Sequence, residues 1–69
     1  MNTIKNLLEF QMLMLENVFE DDIVFRKELK KSKKWLNAND LTILKKWLLR
    51  KFSKTHCKSI QEELKEIPV

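Results

Sequence analysis

His56 and Cys57 set an imidazole beside a thiol, the combination used by cysteine nucleophiles and by zinc sites. Zinc takes four ligands, and the sequence contains one His and one Cys in all. Neighbouring residues of a helix point about 100° apart, so His56 is poorly placed to take a proton from Cys57. We therefore expect no catalytic residue, no metal and no cofactor. Cys57 should lie in the core and His56 at its boundary.

A second group of residues suits nucleic acid. The sequence Lys33-Lys34-Trp35-Leu36 recurs as Lys45-Lys46-Trp47-Leu48. Lysines neutralise phosphates with release of counterions, and an indole ring stacks on an unpaired base. Because lysine lacks the bidentate geometry that reads bases, such binding would depend on phosphates and little on sequence. The alternative is a solvated lysine-rich surface that only keeps the protein soluble.

Charge is sorted along the chain into three blocks. Residues 1 to 25 carry one Lys against five acids, residues 26 to 58 carry twelve Lys or Arg against two, and residues 59 to 69 carry one Lys against three. The net charge of +4 thus conceals a strongly basic middle segment, whose field attracts molecules of opposite charge. The glutamates of the last block, Glu62, Glu63 and Glu66, are spaced to pair with Lys58 or Lys65, and a solvated acidic face is the default expectation.

At 69 residues the chain has room for a single helical domain, 1-69, which buries only about 60% of the surface that the unfolded chain exposes. One cysteine excludes a disulfide within the chain and suits a reducing compartment. The longest apolar run, Met12 to Leu15, is far too short to span a membrane, and no signal peptide is recognisable. We expect a cytoplasmic protein without membrane contact, to which self-association adds stability.

The sequence predicts an all-α fold, a small bundle of three to four helices. Glycine is absent, the single proline is Pro68, and no strand-like alternation persists. Helix boundaries follow from capping residues. Helix 1 is expected from Asn2 or Thr3 to about Phe19, helix 2 from Asp21 or Asp22 to about Leu36, and helix 3 from Asn37 to between Phe52 and Lys54. Helix 4 should begin between Ser53 and Ser59, with Ser59 and Glu62 as a possible capping box, and stop before Pro68.

Each of the last three helices has an apolar stripe at helical spacing that should face a common core. The stripe residues are Phe25, Leu29, Ser32 and Leu36 in helix 2, Leu41, Leu44, Leu48 and Phe52 in helix 3, and Cys57, Ile60, Leu64 and Ile67 in helix 4. Trp47 adjoins the helix 3 stripe, which favours burial. Trp35 falls away from the helix 2 stripe, which favours exposure.

Helix 1 differs from the others, because its apolar residues cover an arc of about 200°. One neighbouring helix cannot bury so wide an arc. Either helix 1 lies in a groove made by the other three helices, or part of the arc meets another protein chain.

These surfaces favour a small non-enzymatic interaction or regulatory module that binds a protein partner or a second copy of itself. The apolar contact residues on helix 1 would be Leu7, Phe10, Met14 and Val18. The basic face of helices 2 and 3 would comprise Arg26, Lys27, Lys30, Lys31, Lys34, Trp35, Lys46 and Arg50. The alternative is a nucleic-acid-binding protein of low sequence specificity that acts through phosphate contacts. A structural subunit of a larger assembly is a third possibility.

Overall fold

The structure, a computed structural model, describes residues 6–52 and 54–67, without the side chain of Cys57. Four α-helices follow one another in it: α1, Leu7–Val18; α2, Asp22–Trp35; α3, Ala38–Lys51; and α4, Cys57–Glu63. These described residues contain no strand. The predicted all-α fold, a small bundle of helices, is therefore confirmed.

Side-chain caps explain where the first three helices begin. The side-chain oxygens of Asn6, Asp21 and Asn37 accept hydrogen bonds from backbone N–H groups in the first turns of α1, α2 and α3. Each bond satisfies an N–H group that has no partner within the helix. The predicted caps Asp21 and Asn37 are confirmed. The predicted caps Asn2 and Thr3 lie outside the described residues. Within the described residues, Asn6 caps α1.

The start of α4 differs in part from the prediction. The helix begins and ends within the predicted limits, but the capping box of Ser59 and Glu62 is wrong. Ser59 lies inside α4, and its hydroxyl donates a hydrogen bond to Asp22 of α2. His56 occupies the N-cap position without capping the helix, because its ring is bonded to other elements.

The core lies where the predicted stripes meet. Its buried apolar residues are Leu15, Phe25, Leu29, Leu36, Leu41, Leu44, Leu48, Phe52, Ile60 and Leu64. The ring of Phe52 lies 5.5 Å from those of both Phe19 and Phe25, so it joins α3 to α1 and α2. The stripes of α2 and α3 are confirmed, and Ile67 of the α4 stripe is half-buried against the core. The predicted burial of Cys57 falls outside the described side chains.

The packing of the helices leaves one side of α1 open. α1 packs mainly along α2 and touches α3, whereas α4 packs on α2 and α3. α2 and α3 are consecutive in the chain but do not pack along one another. α1 is thus held mainly by α2 and α3. None of the helices described in residues 6–52 and 54–67 is both long and apolar enough to cross a membrane.

Candidate functional site

A buried glutamine fixes α1 against α2. The side-chain nitrogen of Gln11 donates to the hydroxyl of Ser32 at 2.7 Å and to the backbone carbonyl of Glu28 at 3.3 Å. Gln11 and Ser32 are fully buried, and Oε1 of Gln11 has no hydrogen-bond partner among the described residues. These bonds can form only when α1 is oriented about its own axis with Gln11 facing α2. They therefore determine which side chains of α1 face outward.

The apolar side chains that α1 turns outward form a surface that we name the α1 outer face: Leu7, Phe10, Leu13 and Met14. The two leucines are 41% and 44% exposed, and the other two residues are half-buried. On a helical wheel of about 100° per residue, the four positions lie about 80° to 200° from the buried Leu15, measured in the direction of Gln11. Val18, which the sequence also assigns to a partner contact, packs in part against the core. The open side of α1 is therefore apolar from Leu7 to Met14, and the exposed Asn17 ends the apolar surface in the last turn.

Three lysines form a row on the outside of α2, which we name the α2 lysine row: Lys27, Lys30 and Lys34. They are exposed and follow one another at spacings of three and four, so they share one face of the helix. None of them has an ion-pair or hydrogen-bond partner within the part of the chain that the structure describes. Trp35, 51% exposed as predicted, lies on the edge of α2 that turns toward α1. On the helical wheel, Trp35 and then Lys31 lie between the α1 side of α2 and the lysine row, which faces away from the core.

The other predicted basic residues do not extend this row. Lys31 pairs with the buried carboxylate of Glu28, with 3.3 Å between nitrogen and oxygen. Lys46 and Arg50 are exposed on α3. Because α2 and α3 do not pack along one another, the basic residues of helices 2 and 3 belong to two separate surfaces.

Arg26 joins α2 to α4. Its Nη2 donates to a carboxylate oxygen of Glu62 at 2.8 Å, and its Nη1 donates to Glu63 at 3.4 Å. The hydrogen bond from Arg26 is the main reason why the pKa of Glu62 lies below its ordinary value, and the same bond raises the pKa of Arg26. The sequence offered Lys58 or Lys65 as partners for these glutamates. In the structure, Glu62 and Glu63 bond to Arg26 of α2. Arg26 is consequently held within the fold.

Asp22, His56 and Ser59 are the residue types of a serine-hydrolase triad, but they are connected differently. Oδ1 of Asp22 lies 3.3 Å from Nδ1 of His56 and accepts a hydrogen bond from Ser59 at 3.1 Å. Nε2 of His56, which would face the serine in a triad, contacts the backbone carbonyl of Phe19. Because a carbonyl only accepts, Nε2 carries a hydrogen and donates it. It therefore cannot serve as a base for Ser59, and the cluster connects α2 and the end of α1 to α4.

The predicted boundary position of His56 is wrong, because the residue is only 8% exposed. Its ring stacks on Phe25 with the centroids 4.1 Å apart and the planes at 15°, and it meets Phe52 edge-on at 6.0 Å. The imidazole is accommodated among these rings because both of its nitrogens face polar atoms.

An open cleft of about 400 Å³ lies between the end of α1 and the end of α3, and it is lined by Glu16, Phe19, Lys51, Phe52 and Thr55. Its wall contains the two phenylalanine rings, and its charged groups, Lys51 and Glu16, pair with each other at 3.2 Å. Such a cleft suits an apolar side chain. Among the described residues, no group of three or more His, Cys, Asp or Glu side chains is arranged to hold a metal ion.

Sequence reasoning missed three residues that shape these surfaces. Leu13 was not among the apolar contact residues predicted for helix 1, although its exposure makes it part of the α1 outer face. The burial of Gln11 is signalled only by its position between Leu15 and Val18 on the core side of the helical wheel. The stacking of His56 on Phe25 depends on tertiary packing, for which the sequence holds no local signal.

Compared with protein-family models, curated proteins and solved structures, the chain has no match.

Proposed function

We propose that this protein is a non-enzymatic interaction module that binds another macromolecule through the α1 outer face, with the α2 lysine row at its edge. The observation that supports this most directly is the open side of α1, where Leu7 and Leu13 are 41% and 44% exposed beside Phe10 and Met14. Single exposed apolar side chains are ordinary, but four in line along one helix form a patch of the kind that marks contact sites. A reducing compartment such as the cytoplasm is part of the proposal, and the single cysteine supports it.

The non-enzymatic part of the proposal rests on the polar clusters. The imidazole nitrogen that a general base would use is bonded to the Phe19 carbonyl. The carboxylates of Glu62 and Glu63 are held by Arg26 on the surface between α2 and α4. These groups stabilise helix packing, and their hydrogen bonds are already used for that purpose.

The test is site-specific photo-crosslinking in the cells that make the protein. A photoreactive phenylalanine analogue replaces Phe10 in one variant and Ile43 in the control, because Ile43 is an exposed apolar residue of α3, at 44%. We expect covalent adducts from position 10 and none from position 43, since only the former lies on the proposed surface. Equal yields from both positions, or no adduct from either, would contradict the proposal.

A second candidate function, nucleic-acid binding, is favoured by the unpaired α2 lysine row and the exposed indole of Trp35. Three neutralised phosphates give a log–log salt slope of about −2.7 for a duplex and about −2 for a single strand. Changing Lys27, Lys30 and Lys34 together to Glu should abolish binding of a labelled oligonucleotide in fluorescence anisotropy. The matched control changes Lys46 and Arg50 to Glu and should retain most of the binding. Equal losses of oligonucleotide binding in the two variants would indicate a general effect of charge and would contradict nucleic-acid binding by the α2 lysine row.

A further inference from the structure

The α1 outer face is bordered by opposite charges on its two sides. One border is the α2 lysine row, next to Lys31 and Trp35. The other border is α1's own acidic edge, at Glu9 and Glu16, which lie about 100° to 120° from Leu15 in the opposite sense to Gln11. The apolar patch thus separates an acidic edge from a basic row, in agreement with the acidic first block and basic second block of the sequence.

We infer that the occupant of the α1 outer face is a second copy of this chain, with the two α1 helices side by side and parallel. The inference rests on the proposed function and names its partner. A second copy supplies an apolar stripe to cover the patch and an acidic edge to meet the lysine row. The surface ion pair of Glu16 with Lys51 leaves the carboxylate 41% exposed, so Glu16 still contributes charge to that edge.

Two-fold symmetry selects the parallel arrangement. When the symmetry axis runs along the helices, the acidic edge of each copy meets the lysine row of the other, and this favourable contact occurs twice. When the axis is perpendicular to the helices, they are antiparallel, acidic edge meets acidic edge, and lysine row meets lysine row. The unpaired charges of Lys27, Lys30 and Lys34 make the second arrangement unfavourable.

The size of the surface sets the strength of the contact. α1 has 12 residues and is therefore about 18 Å long. Even with the neighbouring side of α2, a helix face of this length is smaller than the ~800 Å² per partner of a standard stable interface. The dimer should accordingly dissociate at low protein concentration, and added salt should weaken it because charge contributes to it.

Sedimentation equilibrium of the full chain from about 10 μM to about 1 mM tests the association over the range expected for a weak dimer. The apparent mass should rise from 8.4 kDa toward the value of a dimer. Met14→Glu should weaken the association about tenfold or more by burying a charge in the patch, whereas the control Ile43→Glu should leave it unchanged. A chain that stays monomeric throughout, or an equal effect of the two substitutions, would overturn the inference.

Disulfide trapping distinguishes the two arrangements. In a Cys57→Ser background with unchanged helix content, Leu7→Cys and Met14→Cys should each form a disulfide-linked homodimer, because parallel helices bring like positions together. When the two variants are mixed, an antiparallel pair would instead yield the mixed 7–14 product and would overturn the inference. If the chain stays monomeric but position 10 still crosslinks to other molecules in cells, this inference fails and the proposed function stands. If both signals are missing, both fail.

Discussion

Replacing His56 with Ala should destabilise the fold severely, although the sequence marks this residue as peripheral. The substitution removes the donor to the Phe19 carbonyl, worth about 0.5–1.5 kcal/mol, and the contact with Asp22. It also removes the stacking on Phe25, worth about 0.5–1.5 kcal/mol beyond area burial, and leaves a cavity in its place. We expect a loss of about 2–4 kcal/mol, against a total stability of roughly 3–10 kcal/mol for a domain of this length.

The assay is thermal unfolding followed by circular dichroism. The expected loss lowers Tm by about 8–30 °C in a domain of this size. His56→Phe keeps a stacking ring without its hydrogen bonds, and His56→Gln keeps a donor without the ring, so both should fall between wild type and His56→Ala. Lys54→Ala is the matched control, because Lys54 is an exposed residue of the same connection. A His56→Ala midpoint as high as that of the control would refute the reasoning.

Three further predictions concern the core and the helix contacts. Leu29→Ala and Leu48→Ala should each cost about 2–5 kcal/mol in denaturant titrations, because both side chains are fully buried, and an unchanged midpoint would contradict the core assignment. Gln11→Leu should stay within about 1 kcal/mol of wild type in the same titrations, since it removes the unpartnered buried Oε1 along with the hydrogen bonds, whereas a larger loss would mean that those bonds dominate. Arg26→Ala should raise the pKa of Glu62 toward its ordinary value in an NMR titration. Because Arg26 lowers that pKa, the stabilisation from the pair is present above the ordinary pKa and disappears as pH falls through the lowered one, so an unchanged titration in the variant would be evidence against the pair.

Periodicity and capping chemistry were sufficient to predict the helices and the core of this chain. Asp21 and Asn37 act through bonds to the next few residues, so local sequence contains their whole signal. The stripes of α2 and α3 are apolar over several turns, and burial in the core is the only arrangement that removes them from water. Leu29 and Leu48 are buried for this reason.

The contacts between elements were not predictable in the same way. Arg26 lies in an arc of lysines on the helical wheel, and nothing local shows that α4 brings Glu62 against it. His56 lies between two helices, where only the assembled bundle supplies Phe25 and the Phe19 carbonyl. The division of the basic residues into two surfaces likewise depends on α2 and α3 packing apart, which is a property of the topology.

The most direct test of a second copy of the chain on the α1 outer face is a concentration series of ¹H–¹⁵N NMR spectra of the uniformly labelled chain, from about 20 μM to about 1 mM, the range expected for a weak dimer. The account predicts progressive shifts of the Phe10 and Met14 amides and of the Trp35 indole N–H. The Lys46 and Arg50 amides on α3 should stay in place. Spectra that do not change over the whole range, or changes confined to α3 and α4, would contradict it.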